Sequence, residues 1–329
     1  MAQITRLGEP VQIGSLRTKN RICIPPMVIF SCKKGDGYVT DTHLAHYRSL
    51  AQGGAGLIIQ EATCVLPQGR LHDSQLGIWE DGQISGLRQI TDTVHRENCP
   101  IFLQIHHSSV EHPESLQLHG VEEAFVAAGR RAFQAGYDGV ELHGCHSYLL
   151  CQLLNRETGA GVDPMPMIGR IIAGIRAETS PEFIIGIRLG AFEPDLEAGI
   201  AHARTLEQLG IQFFDISFGF SGHMDMTVPG DDRFHPLLRA AGEIKKQVSV
   251  PVFGVQCIRS PEMGADVIEA LGLDMIDVGR SALVDPDWPK KAISGKIPGK
   301  CLGCKVCQWR IDPEKCAGRR LMNKKEVNP

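Results

Sequence analysis

Short apolar runs alternate with amphipathic stretches of helical period along nearly the whole chain. Runs of strand length fall at Ile22–Pro25, Gly56–Glu61, Ile101–Ile105, Gly139–His143, Phe183–Arg188, Phe213–Ser217, Val252–Val255 and Met275–Val278. Helix-period stretches lie between them, at Asp41–Ala51, Ile84–Arg96, Val121–Ala135, Glu197–Leu209, Pro236–Gln247 and Glu262–Leu271. Several strand runs, such as LII at 57–59 and FIIGI at 183–187, show no polar alternation. Strands of that kind are buried on both faces, as parallel strands covered by helices are. Gly-rich joints such as AQGGAGLII and QAGYDGVEL suit a helix end followed by a tight return into a strand. Eight β/α units from about residue 22 to about residue 300 predict an α/β fold of the (β/α)8 TIM barrel type. The competitor is a doubly wound open sheet, which carries a Gly-rich phosphate turn after its first strand. Here that strand runs into IPPMVIF, which cannot wrap a pyrophosphate closely.

Composition narrows the picture without changing it. The 329 residues are 43% hydrophobic and 22% charged, which is ordinary globular composition. A net charge of −4 gives no reason to expect nucleic acid or an anionic membrane as a partner. No apolar run approaches the roughly 18 residues of a membrane helix. The first residues, MAQITRLGEPVQIG, lack a basic-then-apolar leader, so a cytoplasmic location is expected. A small-molecule substrate is the expected partner, and homo-oligomerisation is left open. Of 11 cysteines, Cys301, Cys304, Cys307 and Cys316 crowd into the last segment, while the rest are scattered and do not read as a disulfide framework. The division expected is a barrel over 1–295 and a Cys-rich tail over 296–329.

In a barrel of this kind, function collects at the C-terminal ends of the strands. Strand four ends in His143-Gly144-Cys145-His146-Ser147-Tyr148. Two imidazoles and a phenol at that spacing can polarise a carbonyl and deliver a proton. Alternatives are a pair of satisfied structural histidines, or a metal site that two imidazoles alone leave short of ligands. Arg188 closes the buried run IIGIR and needs an anionic or polar partner, either a ligand or a barrel carboxylate. Gln104 on strand three must likewise find partners in a heterocycle or in its neighbours. Gly279-Arg280 ends strand eight, where barrels of this type often bind phosphate. Together these residues suit a phosphorylated ring cofactor such as FMN.

The same residues carry a family resemblance. KNRICIPPM (19–27), GDGYVTDTHLAHY (35–47), GGAGLIIQEATCVLPQGR (53–70), LGIWED (76–81), QAGYDGVELHGCHSYLL (134–150) and GLDMIDVGRSALVDPDW (272–288) resemble the old yellow enzyme family of FMN-dependent oxidoreductases. The resemblance implies that Pro26, Met27 and Val28 lie along the flavin edge and that Ala62 and Gln104 contact the isoalloxazine. It implies Arg188 beside the N1/O2 edge, with Gly254, Gly279 and Arg280 on the phosphate. His143 and His146 match the pair that binds the substrate carbonyl, and Tyr148 matches the proton donor. The implied activity is that of an ene-reductase: NAD(P)H reduces the flavin, hydride goes to the β-carbon of an activated C=C bond, and the tyrosine protonates the α-carbon.

Departures from the family pattern fall on the substrate side. Val28 stands where Thr or Cys is common, and Phe30 where Tyr is common. The segment between His107 and Val121 is short, and only Asn155, Arg156, Asp163 and Arg170 remain of the motif that follows Tyr148. The tail's CLGCKVC resembles the cluster-binding segment of the trimethylamine dehydrogenase and 2,4-dienoyl-CoA reductase branch. A [4Fe–4S] cluster on Cys301, Cys304, Cys307 and Cys316 is therefore expected, with zinc or an empty relic as alternatives. Two other functional readings stay open: a flavin-dependent amine dehydrogenase or demethylase, and an FMN-binding barrel with little turnover.

Overall fold

The computed structural model describes residues 4–108, 118–155, 163–219, 226–310 and 312–327. A short hairpin, β1 (Gln12–Ile13) and β2 (Leu16–Arg17), precedes eight strands. These are β3 (Ile22–Ile24), β4 (Leu57–Cys64), β5 (Ile101–His106), β6 (Gly139–Gly144), β7 (Ile184–Gly190), β8 (Phe214–Ser217), β9 (Val252–Gly254) and β10 (Met275–Asp277). All pair in parallel, and β10 pairs back to β3 to close the barrel. Each apolar run expected to be a strand supplies one stave, so the open-sheet alternative falls.

The outer layer consists of α1 (Asp41–Gln52), α2 (Ile84–His95), α3 (Leu118–Gln134), α4 (Leu149–Leu154), α5 (Met165–Ala177), α6 (Leu196–Gln208), α7 (Pro236–Lys245) and α8 (Pro261–Leu271). After β10 come α9 (Arg280–Val284), α10 (Trp288–Ile293) and α11 (Ala317–Val327). The sequence pattern did not single out α5, although Met167, Ile168, Ile171, Ile172 and Ile175 form its buried stripe. Its glycines mask the helical signal but serve packing. A Cβ on Gly174 would meet Val126 of α3 at 2.6 Å, so the missing side chain lets the two helices approach.

Two apolar cores result. One lies between strands and helices; the other fills the barrel, where Phe102, Phe213 and Phe253 stack with centroids 5.2 and 5.0 Å apart. Val11 and Ile13 from the hairpin region close its base. Truncating one of these rings to Ala would cost roughly 3–5 kcal/mol. Above this floor the interior turns polar. Side chains alternate along a strand, and the register pairs Gln104 with Glu141, His143 with Arg188, Arg188 with Asp215 and Asp277 with Cys23. Gln104, His106, Glu141, His143, Arg188, Asp215, Ser217 and Asp277 therefore share the inner face.

The tail lies against the barrel. Gly299 N–H donates to Asp285 Oδ2 at 2.7 Å, Arg319 Nε donates to the Leu283 carbonyl at 3.0 Å, and the Trp309 ring sits 5.8 Å from that of His46. Among the described residues, no helix is long and apolar enough to cross a membrane.

Candidate active site

The C-terminal rim is where the backbone departs from ordinary conformation. Phe30 (φ 50°) follows β3, His146 and Ser147 (φ 61° and 62°) follow β6, and Gln256 and Cys257 (φ 118° and 57°) follow β9. Non-glycine residues with positive φ are strained and tend to cluster at functional sites. Here they re-aim three of the rim loops.

Between the ends of β3, β9 and β10 lies a cleft of about 180 Å³. Pro25, Pro26 and Met27 form one wall, Val255 through Arg259 another, and Gly279, Arg280 and Ser281 a third; Arg188 and Asp277 line it from the barrel interior. A Cβ on Gly279 would come within 3.2 Å of Met27 Sδ, so glycine keeps that wall open. Arg280 is exposed at the mouth, and Cys301 from the tail also lines the cleft.

Beneath the cleft sits a buried charge cluster. Arg188 Nε is 3.1 Å from Asp215 Oδ2, but the N–H does not point along that line, so the two form an ion pair without a hydrogen bond. Burial works against the charge on Arg188, but the combined attraction of Asp215, Cys145, Glu141 and Asp277 outweighs it, leaving the guanidinium firmly protonated. Asp277 is 2% exposed, and burial followed by repulsion from Asp215 pushes its carboxyl well above the usual range. Glu141 is shifted the same way by burial and then Asp215, with Arg188 opposing. Gln104 Nε2 donates to Glu141 Oε1 at 2.7 Å, while Glu141 Oε2 and both Asp277 oxygens have no hydrogen-bond donor.

The other half of the rim is an imidazole chain. His106 Nδ1 and His143 Nδ1 are 3.0 Å apart, His143 Nε2 and His146 Nδ1 are 3.0 Å apart, and His146 Nε2 is 2.8 Å from Ser217 Oγ. Burial lowers all three histidines, His106 and His146 to about 3, so the rings are neutral at physiological pH. Tyr148 sets its ring edge-on to His106 and His143, with centroids 4.6 and 4.9 Å away. Burial raises its phenol, which is therefore protonated. A neutral imidazole N–H and a phenol O–H are the donors that polarising a carbonyl and passing on a proton require.

A model of the NADH:flavin oxidoreductase / NADH oxidase family matches residues 6–121 and 117–297. The chain belongs to this family, the old yellow enzymes. An NADH oxidase from Thermoanaerobacter brockii is 32% identical over 93% of this chain, which spans 54% of that protein. An NADPH dehydrogenase from a Geobacillus strain is 28% identical, with 88% of this chain and 94% of the relative covered. Among solved structures, the old yellow enzyme homologue from Zymomonas mobilis superposes with a TM-score of 0.75 at 21% identity, covering 93% of this chain and 98% of its own. A 2-naphthoyl-CoA reductase complex superposes at 0.80 with 22% identity, covering 94% of this chain and 56% of that one.

The residues present fit FMN. Asp277 offers two unpartnered oxygens and Arg188 a buried cation, both lining the cleft beside Gly279 and Arg280. Pro26 and Met27 are on the wall as expected, Val28 is half-buried beyond them, and Ala62 is buried in β4 with its carbonyl accepting from Gln75 Nε2 at 2.7 Å. Gly254 needs correction. It lies inside β9, off the cleft wall, and a Cβ there would strike Leu273 at 2.4 Å; its glycine serves packing, and residues 255–259 form the wall instead. The short segment before Val121 falls mainly on 109–117, outside the described residues, as does Arg156. Of the other remnants, Asn155 Nδ2 donates to Glu193 Oε2 at 2.9 Å and Arg170 pairs with Glu122 at 2.9 Å, both structural roles.

Sequence reasoning passed over Asp215, Asp277, Glu61 and Ser217. The signal for the first two was an acid inside an apolar run, in FFDIS and MIDV. Glu61 Oε2 accepts the Ile29 N–H at 3.0 Å, and Oε1 accepts from Tyr47 Oη at 3.2 Å, which ties down the strained loop at Phe30. In the tail, Cys304 and Cys307 are exposed and Cys301 and Cys316 half-buried. Four thiolates on zinc would lie about 3.8 Å apart. Among the described residues, the only group of three or more ligand-type atoms within 4.8 Å is His143, Cys145 and His146, so the four tail thiols are not gathered to that spacing in this structure.

Proposed function

We propose that this chain reduces an activated C=C bond with electrons taken from NAD(P)H, acting as an ene-reductase. When bound, FMN supplies the hydride chemistry. Arg280, Gly279 and the backbone of 255–259 hold its phosphate end. Arg188 and Gln104 face its ring from the barrel interior, with Pro26, Met27, Val28 and Ala62 along its edge. His143 and His146 hold the electron-withdrawing group of the substrate, and because both rings are neutral they polarise it by hydrogen bonding rather than by charge. Both nitrogens of His143 and of His146 are already engaged, so substrate displaces Ser217 from His146 Nε2 and His106 from His143 Nδ1. Tyr148 Oη delivers the proton to the α-carbon. The observation that carries this reading is the placement of the His143–His146–Tyr148 group at the same rim as the Arg188–Gly279–Arg280 cleft. Anaerobic mixing of the yellow protein with NADH or NADPH should bleach the flavin, and an enone should restore the colour. A flavin that stays oxidised rejects the reading, and one bleached by an amine without nicotinamide replaces it with amine oxidation.

The tail belongs to the same proposal. A [4Fe–4S] cluster on Cys301, Cys304, Cys307 and Cys316 is supported by thiol spacing and by Cys301 lining the cleft. Iron and acid-labile sulfide in anaerobically purified protein test it; their absence removes the cluster and leaves the barrel reading intact. The division near residue 295, just beyond α10, and a cytoplasmic location stand as part of this reading.

A further inference from the structure

We infer that His143, Cys145 and His146 form a binding site for a soft divalent cation of the zinc class, and that filling it silences the substrate clamp. The second half of this statement rests on the proposed role of His143 and His146; the first does not. One ring nitrogen of each histidine and Cys145 Sγ lie within 4.8 Å of one another, with His143 and Cys145 buried and His146 half-buried. Two imidazoles alone would leave zinc short of ligands. Cys145 supplies the third, and a water completes a four-coordinate site of the open kind.

The positions around the three donors are also those of a metal site. A ligating histidine ordinarily holds its other ring nitrogen in a hydrogen bond. His143 Nδ1 meets His106 Nδ1 at 3.0 Å, and His146 Nε2 meets Ser217 Oγ at 2.8 Å. The remaining nitrogens, His143 Nε2 and His146 Nδ1, face each other at 3.0 Å. Tetrahedral zinc with Zn–N bonds of about 2.0–2.1 Å separates two such nitrogens by about 3.3 Å. Opening the gap by a few tenths of an ångström exchanges one hydrogen bond for two coordinate bonds. The strained pair His146 and Ser147 (φ 61° and 62°) folds the chain back at the end of β6 and brings the three donors together. On binding, the Cys145 S–H bond breaks, its proton passes to solvent, and a Zn–S bond forms without any redox change. The imidazoles that would hold the substrate carbonyl are then committed to the metal.

The test uses the FMN-loaded full chain after chelator treatment, titrated with ZnCl₂ under equilibrium dialysis with metal analysis. Because the tail thiols can also take zinc, wild type and Cys145→Ser are each measured with and without Cys304→Ser/Cys307→Ser. In the tail-altered background one equivalent should bind, and Cys145→Ser should weaken it at least tenfold; His146→Gln should weaken it from the other side of the site. Co²⁺ in place of zinc should show thiolate-to-cobalt charge-transfer absorption that Cys145→Ser abolishes. Cys145→Ser should keep its basal turnover while losing zinc inhibition, which in wild type should be competitive with the alkene. Zinc affinity unchanged in both variants, or no bound equivalent in the tail-altered background, overturns the site. Zinc that binds through Cys145 without inhibiting turnover leaves the site standing and overturns the clamp.

Discussion

The two halves of the rim satisfy their polar groups in opposite ways. On the β9–β10–β3 side, Asp277 keeps two buried oxygens without a donor, Arg188 touches Asp215 without a hydrogen bond, and Gln256 and Cys257 hold strained backbone around an open cleft. On the β5–β6–β8 side, His106, His143, His146 and Ser217 link into one chain. Unpaired buried polar atoms cost about 1–3 kcal/mol each and persist where something else pairs them. The first half is thus built around a resident ligand that completes it. The second is closed along its chain, with His106 Nε2 at its inner end left without a partner, and a transient ligand must break into that chain.

Removing the charge at the centre of the first half should have the largest effect. Arg188→Met leaves Asp215 buried without its cation, and breaking one side of a buried pair costs roughly 3–5 kcal/mol. The expected outcome is colourless protein with a strongly lowered denaturation midpoint, read from the flavin-to-protein absorbance ratio and a denaturant titration. Asp215→Asn in the same background should recover part of the stability without restoring FMN. If Arg188→Met retains full flavin, the first half is not completed by that ligand.

Glu61 gives a pH test of the strained loop that joins the halves. Burial raises its carboxyl from 4.5 to about 7, with the Ile29 N–H and Tyr47 Oη pulling it back. Between those values the folded state binds a proton that the unfolded state has lost, so stability falls as pH rises. The contribution is present below about 4.5 and lost by about 7, a change on the order of 3 kcal/mol. His43 lies 3.9 Å away and is lowered to about 4 by burial, so between about 4 and 6.5 only the unfolded state protonates it, and its contribution rises with pH and opposes that of Glu61. Because the buried histidines His43, His106 and His146 make stability rise with pH up to about 6.5, the Glu61 contribution is read as a difference: the stability of wild type relative to Glu61→Gln should fall from pH 5 to 8 in denaturant titrations.

Tyr148→Phe tests the second half. Removing the Oη should lower turnover roughly 10²-fold through loss of the proton donor, with flavin content and its reduction by nicotinamide unchanged. A variant that reduces alkenes at the wild-type rate would move the proton donor elsewhere.

The barrel was legible because a parallel strand buried on both faces leaves a dense apolar run, and there is one such run per stave. The ends of those runs marked His143, Arg188, Gln104 and Gly279, since the period of two carries them onto one inner face. Gly254 misled because a glycine on a strand looks alike whether it admits a phosphate or Leu273. Asp215 and Asp277 hid inside runs scored as apolar. The meeting of His106 with His143 depends on the stagger between β5 and β6, which residue spacing within either strand does not encode. Positive φ at Gln256 and Cys257 was invisible for a similar reason: nothing about Gln or Cys announces a conformation that glycine usually takes.

The smallest predicted effect separates the two halves most directly. Ser217 Oγ occupies His146 Nε2 at 2.8 Å, so a substrate carbonyl reaching that nitrogen first displaces the hydroxyl. Ser217 is 2% exposed, and its hydrogen bond is worth about 1 kcal/mol net. Ser217→Ala removes the competitor while leaving the His143 contact to orient the ring. KM should therefore fall about fivefold, the ratio that 1 kcal/mol represents, with kcat held within a factor of two. If Ser217 instead serves to aim the imidazole, the loosened ring raises KM and lowers kcat together. Steady-state kinetics on one alkene distinguishes the cases, and a rise in both barriers would show that the chain is a brace rather than a latch.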